Sequence, residues 1–251
     1  MARLIFDHSY TSDINHLFYK KLKKLGFLLS PTPTKHPGKH LCRFIMFKPK
    51  KIIPRTYLEF IHIGKGGVPI FSPGVSFRAE AKMQSVYEKM DKSIKPHLFH
   101  RNYNWQESRN QHLPGWNFLD FKKCGFRGIH TWLTEYEPNT LVKKKSMKIV
   151  KHPNGVQNVY GLEIEMNKNG KEFFQKLFNK KIRKTMSLPG GQKIFFVESQ
   201  RNKIKSVILT AKSIRSMARR FPCGPLQNWR NQPALRIENP SGMWDLLIID
   251  Q

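Results

Sequence analysis

Carboxylates are scarce in this chain: 17 Asp and Glu stand against 45 Lys and Arg in 251 residues, a formal net charge of +28. So few acids exclude an acidic surface, and the resulting field attracts polyanions through a largely nonspecific term. Long apolar runs are missing too. None approaches the ~18 to 20 residues of a membrane span, so no membrane span is expected. Cysteine is limited to Cys42, Cys124 and Cys223. Their wide spacing, odd number and lack of a CxxC pair argue against a disulfide framework and a structural zinc site, and they read as ordinary reduced cysteines. Asp7 and His8 arrive too soon for a signal peptide. A cytoplasmic location is the expectation.

Familiar catalytic motifs are absent as well. There is no Ser-His-Asp spacing around a nucleophile elbow and no HExxH helix. Gly64-Lys65-Gly66-Gly67 lacks the downstream spacing of a P-loop. Zinc-finger spacing, an RNP signature and a basic zipper are also missing. The positive charge is spread in ones to threes, as at Lys143, Lys144 and Lys145, and reads first as solvated faces. What is present is enough apolar material to fold: 39% hydrophobic and 12% aromatic residues.

The chain opens on a period-2 pattern, with Leu4, Phe6, His8 and Tyr10 alternating with Ile5, Asp7 and Ser9, which predicts a strand. Asp13 is placed to cap a helix to about Lys24 with Ile14, Leu17, Phe18, Leu22 and Leu25 on its apolar face, ended by Gly26. The Pro/Thr-rich stretch Ser30 to His36, Gly38 and the apolar run Leu41 to Phe47 read as two strands joined by a turn, and Thr56 to Ile63 as the next strand. The order is therefore β, α, β, β, β. Residues 64–95 give only a glycine- and proline-punctuated loop and a partly helical pattern without strong caps. Gly115 to Phe121 and Gly128 to Tyr136 read as strands, Glu137 to Lys148 as a charged connector, and His152 to Val156 (HPNGV) as a turn with Asn154-Gly155 supplying positive φ.

The opening pattern then recurs. Val159 to Met166 is predicted as a strand, Lys168 to Asn179 as a helix, and Gln192 to Glu198 and Lys203 to Ala211 as strands. A short basic segment and a closing hairpin, Ala234 to Glu238 with Trp244 to Ile249, complete the chain. Laying Phe18–Leu22 (FYKKL) over Phe173–Leu177 (FFQKL) sets Leu4–Tyr10 over Val159–Glu165 without a gap, an internal repeat.

Phe6-Asp7-His8, Leu25-Gly26-Phe27, Lys35-His36-Pro37-Gly38, Tyr57-Leu58-Glu59-Phe60 and the HPNGV turn carry a resemblance to the vicinal-oxygen-chelate superfamily, in its glyoxalase-like branch. The resemblance implies an α+β fold of paired βαβββ modules forming a cupped mixed sheet with helices on the convex side. Residues 1–150 would be the first module with an extended connector, and 151–251 the second. It also implies a pocket in the concavity and a divalent metal held by the first and last strands of each module.

Carried over by position, the metal ligands are His8, Glu59 and Glu163, with Glu59 and Glu163 also acting on substrate. The fourth position falls on Ile208 or its neighbour Ser206, neither a good ligand. His36, His130 and Trp132 are placed at the pocket as substrate contacts. The plainer alternatives are a hydrogen-bonded strand histidine for His8, a Lys- or Arg-paired Glu59 and a core tryptophan for Trp132. Three functions stay open: metal-assisted lyase, isomerase or dioxygenase chemistry on a small oxygen-rich or anionic molecule; a non-catalytic binding or sequestering module; and a basic surface for nucleic acid or anionic lipid. Either a monomer or a homodimer is compatible with paired modules.

Overall fold

The structure, a computed structural model, describes residues 2–30, 33–36, 38–47, 56–94, 96–101, 116–121, 127–136 and 151–251. Pro37, Cys124, the basic segment 48–55 and the predicted connector with Lys143, Lys144 and Lys145 lie outside them.

The first half of the chain runs β1 (Leu4–Ser12), α1 (Leu17–Lys24), β2 (Thr34–His36), β3 (His40–Met46) and β4 (Tyr57–Ile63). It continues with β5 (Gly74–Ala79), α2 (Met83–Glu88), β6 (His97–Arg101), β7 (Trp116–Asp120) and β8 (His130–Tyr136). These strands form one eight-stranded mixed sheet in the order β2-β3-β4-β1-β5-β8-β7-β6. The second half runs β9 (Val156–Met166), α3 (Lys168–Phe178), β10 (Thr185–Ser187), β11 (Lys193–Glu198) and β12 (Lys203–Ala211). After these come α4 (Ile214–Arg220), β13 (Leu226–Trp229), β14 (Gln232–Ile237) and β15 (Asp245–Asp250). Its sheet has the order β10-β11-β9-β12-β15-β14-β13. Each sheet joins two strand–helix–strand units through an antiparallel central pair, β1 with β5 and β9 with β12. The α+β class and the cupped mixed sheet are as the resemblance implies.

Residues 66–127, which carry little signal, supply most of the second unit of the first sheet. Its helix α2 has six residues and no side-chain cap at Lys82, so neither periodicity nor capping announces it. α1 is better marked. Asn15 and His16 have positive φ, and Asp13 reaches past them to accept from the N–H groups of Phe18 (2.8 Å) and Tyr19 (2.9 Å). A carboxylate there satisfies orphan donors and faces the positive end of the helix dipole.

One hydrophobic core runs through both halves. It holds Phe18 and Leu22 of α1, Met83 and Val86 of α2, Phe173, Phe174 and Leu177 of α3, and Ile214 and Met217 of α4. Leu58, Phe60, Phe77, Leu133, Leu162 and Ile164 of the two sheets join them. Phe77 meets Phe178 with ring centroids 5.1 Å apart, and Phe121 meets Phe173 at 5.3 Å. The helices thus lie between the sheets, on the convex side of each. Each concave face carries a separate cluster: Tyr10, Cys42, Ile61 and Trp132 in the first, and Phe195, Ile208, Trp229, Ala234, Leu247 and Ile249 in the second.

Two clasps tie the halves together. Trp244, buried against Phe18 and Phe60, donates its indole N–H to the Tyr10 carbonyl at 2.8 Å. The HPNGV turn forms the other. His152 Nδ1 accepts from the Leu28 N–H at 3.0 Å, its Nε2–H donates to the Met46 carbonyl at 3.1 Å, and Asn154 donates to the Leu25 carbonyl at 2.9 Å. Of the two residues expected at positive φ, only Gly155 has it (80°); Asn154 is occupied as a bridge.

His152 needs its neutral form to accept from Leu28, and burial pulls its pKa down to about 4. The unfolded chain takes up this proton near pH 6.5, whereas the native chain does so only near pH 4. Native stability should therefore fall by up to roughly 3 kcal/mol as pH drops between these values. In urea titrations the His152→Gln variant should show a correspondingly shallower fall over that window; an unchanged slope would refute the assignment.

Candidate functional site

The first concave face is organised by a bulge in β1. Phe6 pairs with Phe77 and His8 with Ser76, leaving Asp7 without a partner in the register. Strict alternation would put His8 on the same face as Phe6, in the core. The extra residue resets the alternation and brings Asp7 and His8 to the concave face together.

Asp7 is 1% exposed. Burial would push its carboxyl up, but an ion pair with Arg78 and hydrogen bonds from His8 (2.7 Å) and Tyr136 (2.7 Å) outweigh that and hold it down to about 2. With the Tyr136 proton committed to Asp7, Tyr57 donates to the Tyr136 oxygen at 3.0 Å. The carboxylate also fixes His8: Nδ1 carries the proton donated to Asp7, so Nε2 faces Glu59 Oε2 at 3.6 Å, beyond hydrogen-bond length. A carboxylate holding one imidazole nitrogen so that the other is presented as a ligand is the usual outer support of a metal-binding histidine. The His8 ring stacks on Tyr57 at 4.2 Å and meets Trp132 edge-on at 5.0 Å.

The neighbouring row crosses four strands. Glu59 of β4 pairs with Tyr10 of β1, Tyr10 with Gly74 of β5, and Gly74 with His130 of β8. A Cβ on Gly74 would lie 2.1 Å from the Tyr10 ring. The glycine therefore lets Tyr10 lean across to His130, whose Nδ1 accepts the phenolic proton at 2.9 Å while Nε2–H donates to Asp120 at 2.9 Å. This is an Asp–His–Tyr relay. Burial, Glu59 and Asp120 raise the Tyr10 pKa, keeping the phenol protonated. Trp132, 7% exposed, packs between the His8 and His130 rings.

A third group gathers on the β2–β3 hairpin. Ligand atoms of His36, Cys42 and Glu59 all lie within 4.8 Å of one another. Burial, with the Glu59 carboxylate next, raises the Cys42 pKa well above the ordinary thiol value. Imidazole, thiol and carboxylate around one point, with His8 Nε2 beside the same carboxylate, form a donor set suited to a divalent transition metal.

His8, Glu59, His36, His130 and Trp132 therefore share the first concave face. Glu163 does not: it lies on β9 in the second cup, 3.6 Å from Lys205 and 3.8 Å from Arg230. Ser206, its cross-strand partner, and Ile208 are there too. Sequence reasoning missed Tyr10 and Asp120 of the relay and the Cys42 thiol. Tyr10 sat in the strand pattern, two residues after His8, but nothing in the sequence linked it to a histidine 120 positions away.

No family model matches the sequence, and no curated protein matches it. Solved structures do. A hypothetical protein from Staphylococcus aureus aligns with a TM-score of 0.64 at 11% identity, over 99% of both chains. A mutant of 4-hydroxymandelate synthase from Streptomyces coelicolor aligns at 0.60 and 10% identity, over 100% of this chain and 93% of that one. Homoprotocatechuate 2,3-dioxygenase from Brevibacterium fuscum, in complex with 3,4-dihydroxyphenylacetate, gives 0.55 and 9%, over 100% and 80%. At these identities the likeness is one of fold alone: a cupped mixed sheet with helices on its convex side.

Gly74→Ala should overpack this face at a cost of about 1–3 kcal/mol and push Tyr10 off His130. Thermal melts would show the loss, and the Tyr10→Phe/Gly74→Ala double variant should recover little of it, because the ring, not the hydroxyl, makes the clash. Substantial recovery would show that the hydroxyl contact is at fault.

Proposed function

We propose that the first cup handles a small, oxygen-rich or anionic molecule by metal-assisted acid–base chemistry of the lyase, isomerase or dioxygenase kind, in a glyoxalase-like protein. The observation that carries this reading is the Asp120–His130–Tyr10 relay ending in the strand register beside Glu59. A phenol whose proton can pass to a histidine backed by a carboxylate, next to a cluster of ligand atoms, is what taking a proton from a bound oxygen needs.

Within this reading His8, His36, Cys42 and Glu59 would hold the metal, and Glu163 has no part in that site. A bound divalent ion would polarise adjacent substrate oxygens. The chain's own groups do the rest. Asp7 keeps the His8 proton on Nδ1, and Tyr10 takes a proton from substrate as it passes its own to His130 Nδ1, the resulting imidazolium being held by Asp120 through Nε2–H. Trp132 and Tyr57 wall the cup and lower the water content around these groups. The proposed functional division of the chain is residues 1–150 with this site and 151–251 without it.

A second reading, a binder that sequesters its ligand unchanged, has an observation in its favour. On β5 and β8, the strands equivalent to β1 and β4 in the second unit of the sheet, Ser76 and Thr134 hydrogen-bond each other at 2.8 Å. These are poorer metal ligands than His8 and Glu59. Nonspecific polyanion binding would accompany either reading through the +28 charge. Monomer or homodimer is left to measurement. Among the described residues no helix is long and apolar enough to cross a membrane, and the cytoplasmic location is part of the proposal.

Elemental analysis of protein purified without chelator tests the metal assignment: about one divalent ion per chain is expected, and less than a tenth of that in Glu59→Gln with the fold retained by circular dichroism. No metal in either protein would sink the metal-assisted reading and move the weight to sequestration. With a substrate in hand, Tyr10→Phe should lower kcat by roughly 100-fold or more with little change in metal content.

A further inference from the structure

The second cup has a different chemistry. β12 bulges between Ile204 and Ser206, which turns Lys205 and Ser206 to the same face, as the β1 bulge does for Asp7 and His8. The sheet curls far enough that Trp229 of β13, on one edge strand, meets Phe195 of β11, one strand from the other edge, with ring centroids 5.2 Å apart. Ile208, Leu247 and Ile249 make the apolar floor, with Tyr160 packed beside them.

Three features of this cup point to a ligand. Ser206 Oγ, Trp229 Nε1 and Arg236 Nε are buried without a hydrogen-bond partner, as is Glu163 Oε2; native interiors leave few such atoms. The cations Lys205, Arg230, Arg236 and Lys193 outnumber the carboxylates of Glu163 and Asp245, the second of which lies 3.7 Å from Arg236. Lys205 and Arg230 share the single carboxylate of Glu163 over distances of 3.6 and 3.8 Å, and Lys193 lies over the Tyr160 ring at 5.2 Å. Finally, Arg230 has φ of 49° and is followed by Asn231 at 64°. Both central residues of this hairpin loop are left-handed, a geometry that favours Asn and Gly. An arginine there costs roughly 1 kcal/mol, yet its guanidinium lies over the rings of Phe195 (4.6 Å) and Trp229 (5.6 Å). Unfavourable backbone retained at a binding surface is a pointer to function.

We propose that the second cup binds a small aromatic carboxylate, independently of the first. The ring packs on Phe195, Trp229 and Tyr160. The carboxylate accepts from Ser206, Trp229 and Arg236, and Lys205 and Arg230 supply the charge. Glu163 holds these two cations over the cup, a role quite different from metal ligation.

Isothermal titration with benzoate tests this on the whole chain. Saturable binding of one benzoate per chain is expected, with cyclohexanecarboxylate at least about ten-fold weaker because it lacks the π-face that Arg230 and the aromatic walls engage. Arg230→Gly should weaken benzoate at least about ten-fold, the effect of losing a desolvated cation that faces both the ring and the carboxylate, while the melting temperature holds or rises because glycine suits the turn. Lys205→Gln should weaken it in the same direction. No saturable binding at millimolar benzoate, equal affinity for the saturated ring, or full affinity in both variants would each overturn the proposal.

Discussion

A carboxylate with 1% exposure, Asp7, sets the geometry of the first half of the molecule. An unpaired buried charge is prohibitively costly, so β1 must stay where Arg78 of β5 and Tyr136 of β8 can reach it. Three of the four central strands are thereby locked in register around one residue, and Tyr57 on the fourth joins through Tyr136. The same carboxylate decides which nitrogen His8 presents to the cup. Electrostatic necessity at a structural residue thus organises a candidate chemical one, and a bulge of a single residue makes both roles possible.

Much of this was readable beforehand where local signals were strong. The apolar face of α1, the helix predicted over Lys168 to Asn179, the strand over Thr56 to Ile63 and the repeat between the two halves all follow from period and spacing. The residues missed are those whose roles are made by contact across the sheet. Simple alternation puts His8 with Phe6, and only the bulge separates them. Cys42 looked ordinary because its neighbours His36 and Glu59 are brought to it by a hairpin and a strand pairing. Short α2, without a cap, hid a whole strand–helix–strand unit.

Glu163 shows how a repeat can mislead. The overlay set it on His8, and both do sit on the concave face of the first strand of their sheet. Equivalence of backbone position does not carry equivalence of surroundings. His8 is met by Asp7 and Glu59, Glu163 by Lys205 and Arg230. The first set concentrates ligand atoms that a cation would bring together, whereas the second surrounds one carboxylate with cations that would repel a metal ion.

The shared core explains how one chain holds two such opposed environments. With all four helices of the described residues packed between the sheets, the cups lie on opposite sides of a continuous apolar layer. Fields that would cancel in one cavity are kept apart by the distance across that layer and by solvent screening on each outer face. The first cup can then gather His, Cys and Glu while the second gathers Lys and Arg, in a chain whose overall charge is +28. Beside that core and the His152–Asn154 clasp, Trp244 hangs on the Tyr10 carbonyl and belongs to the loop that leads into β15, the neighbour of the Lys205 strand.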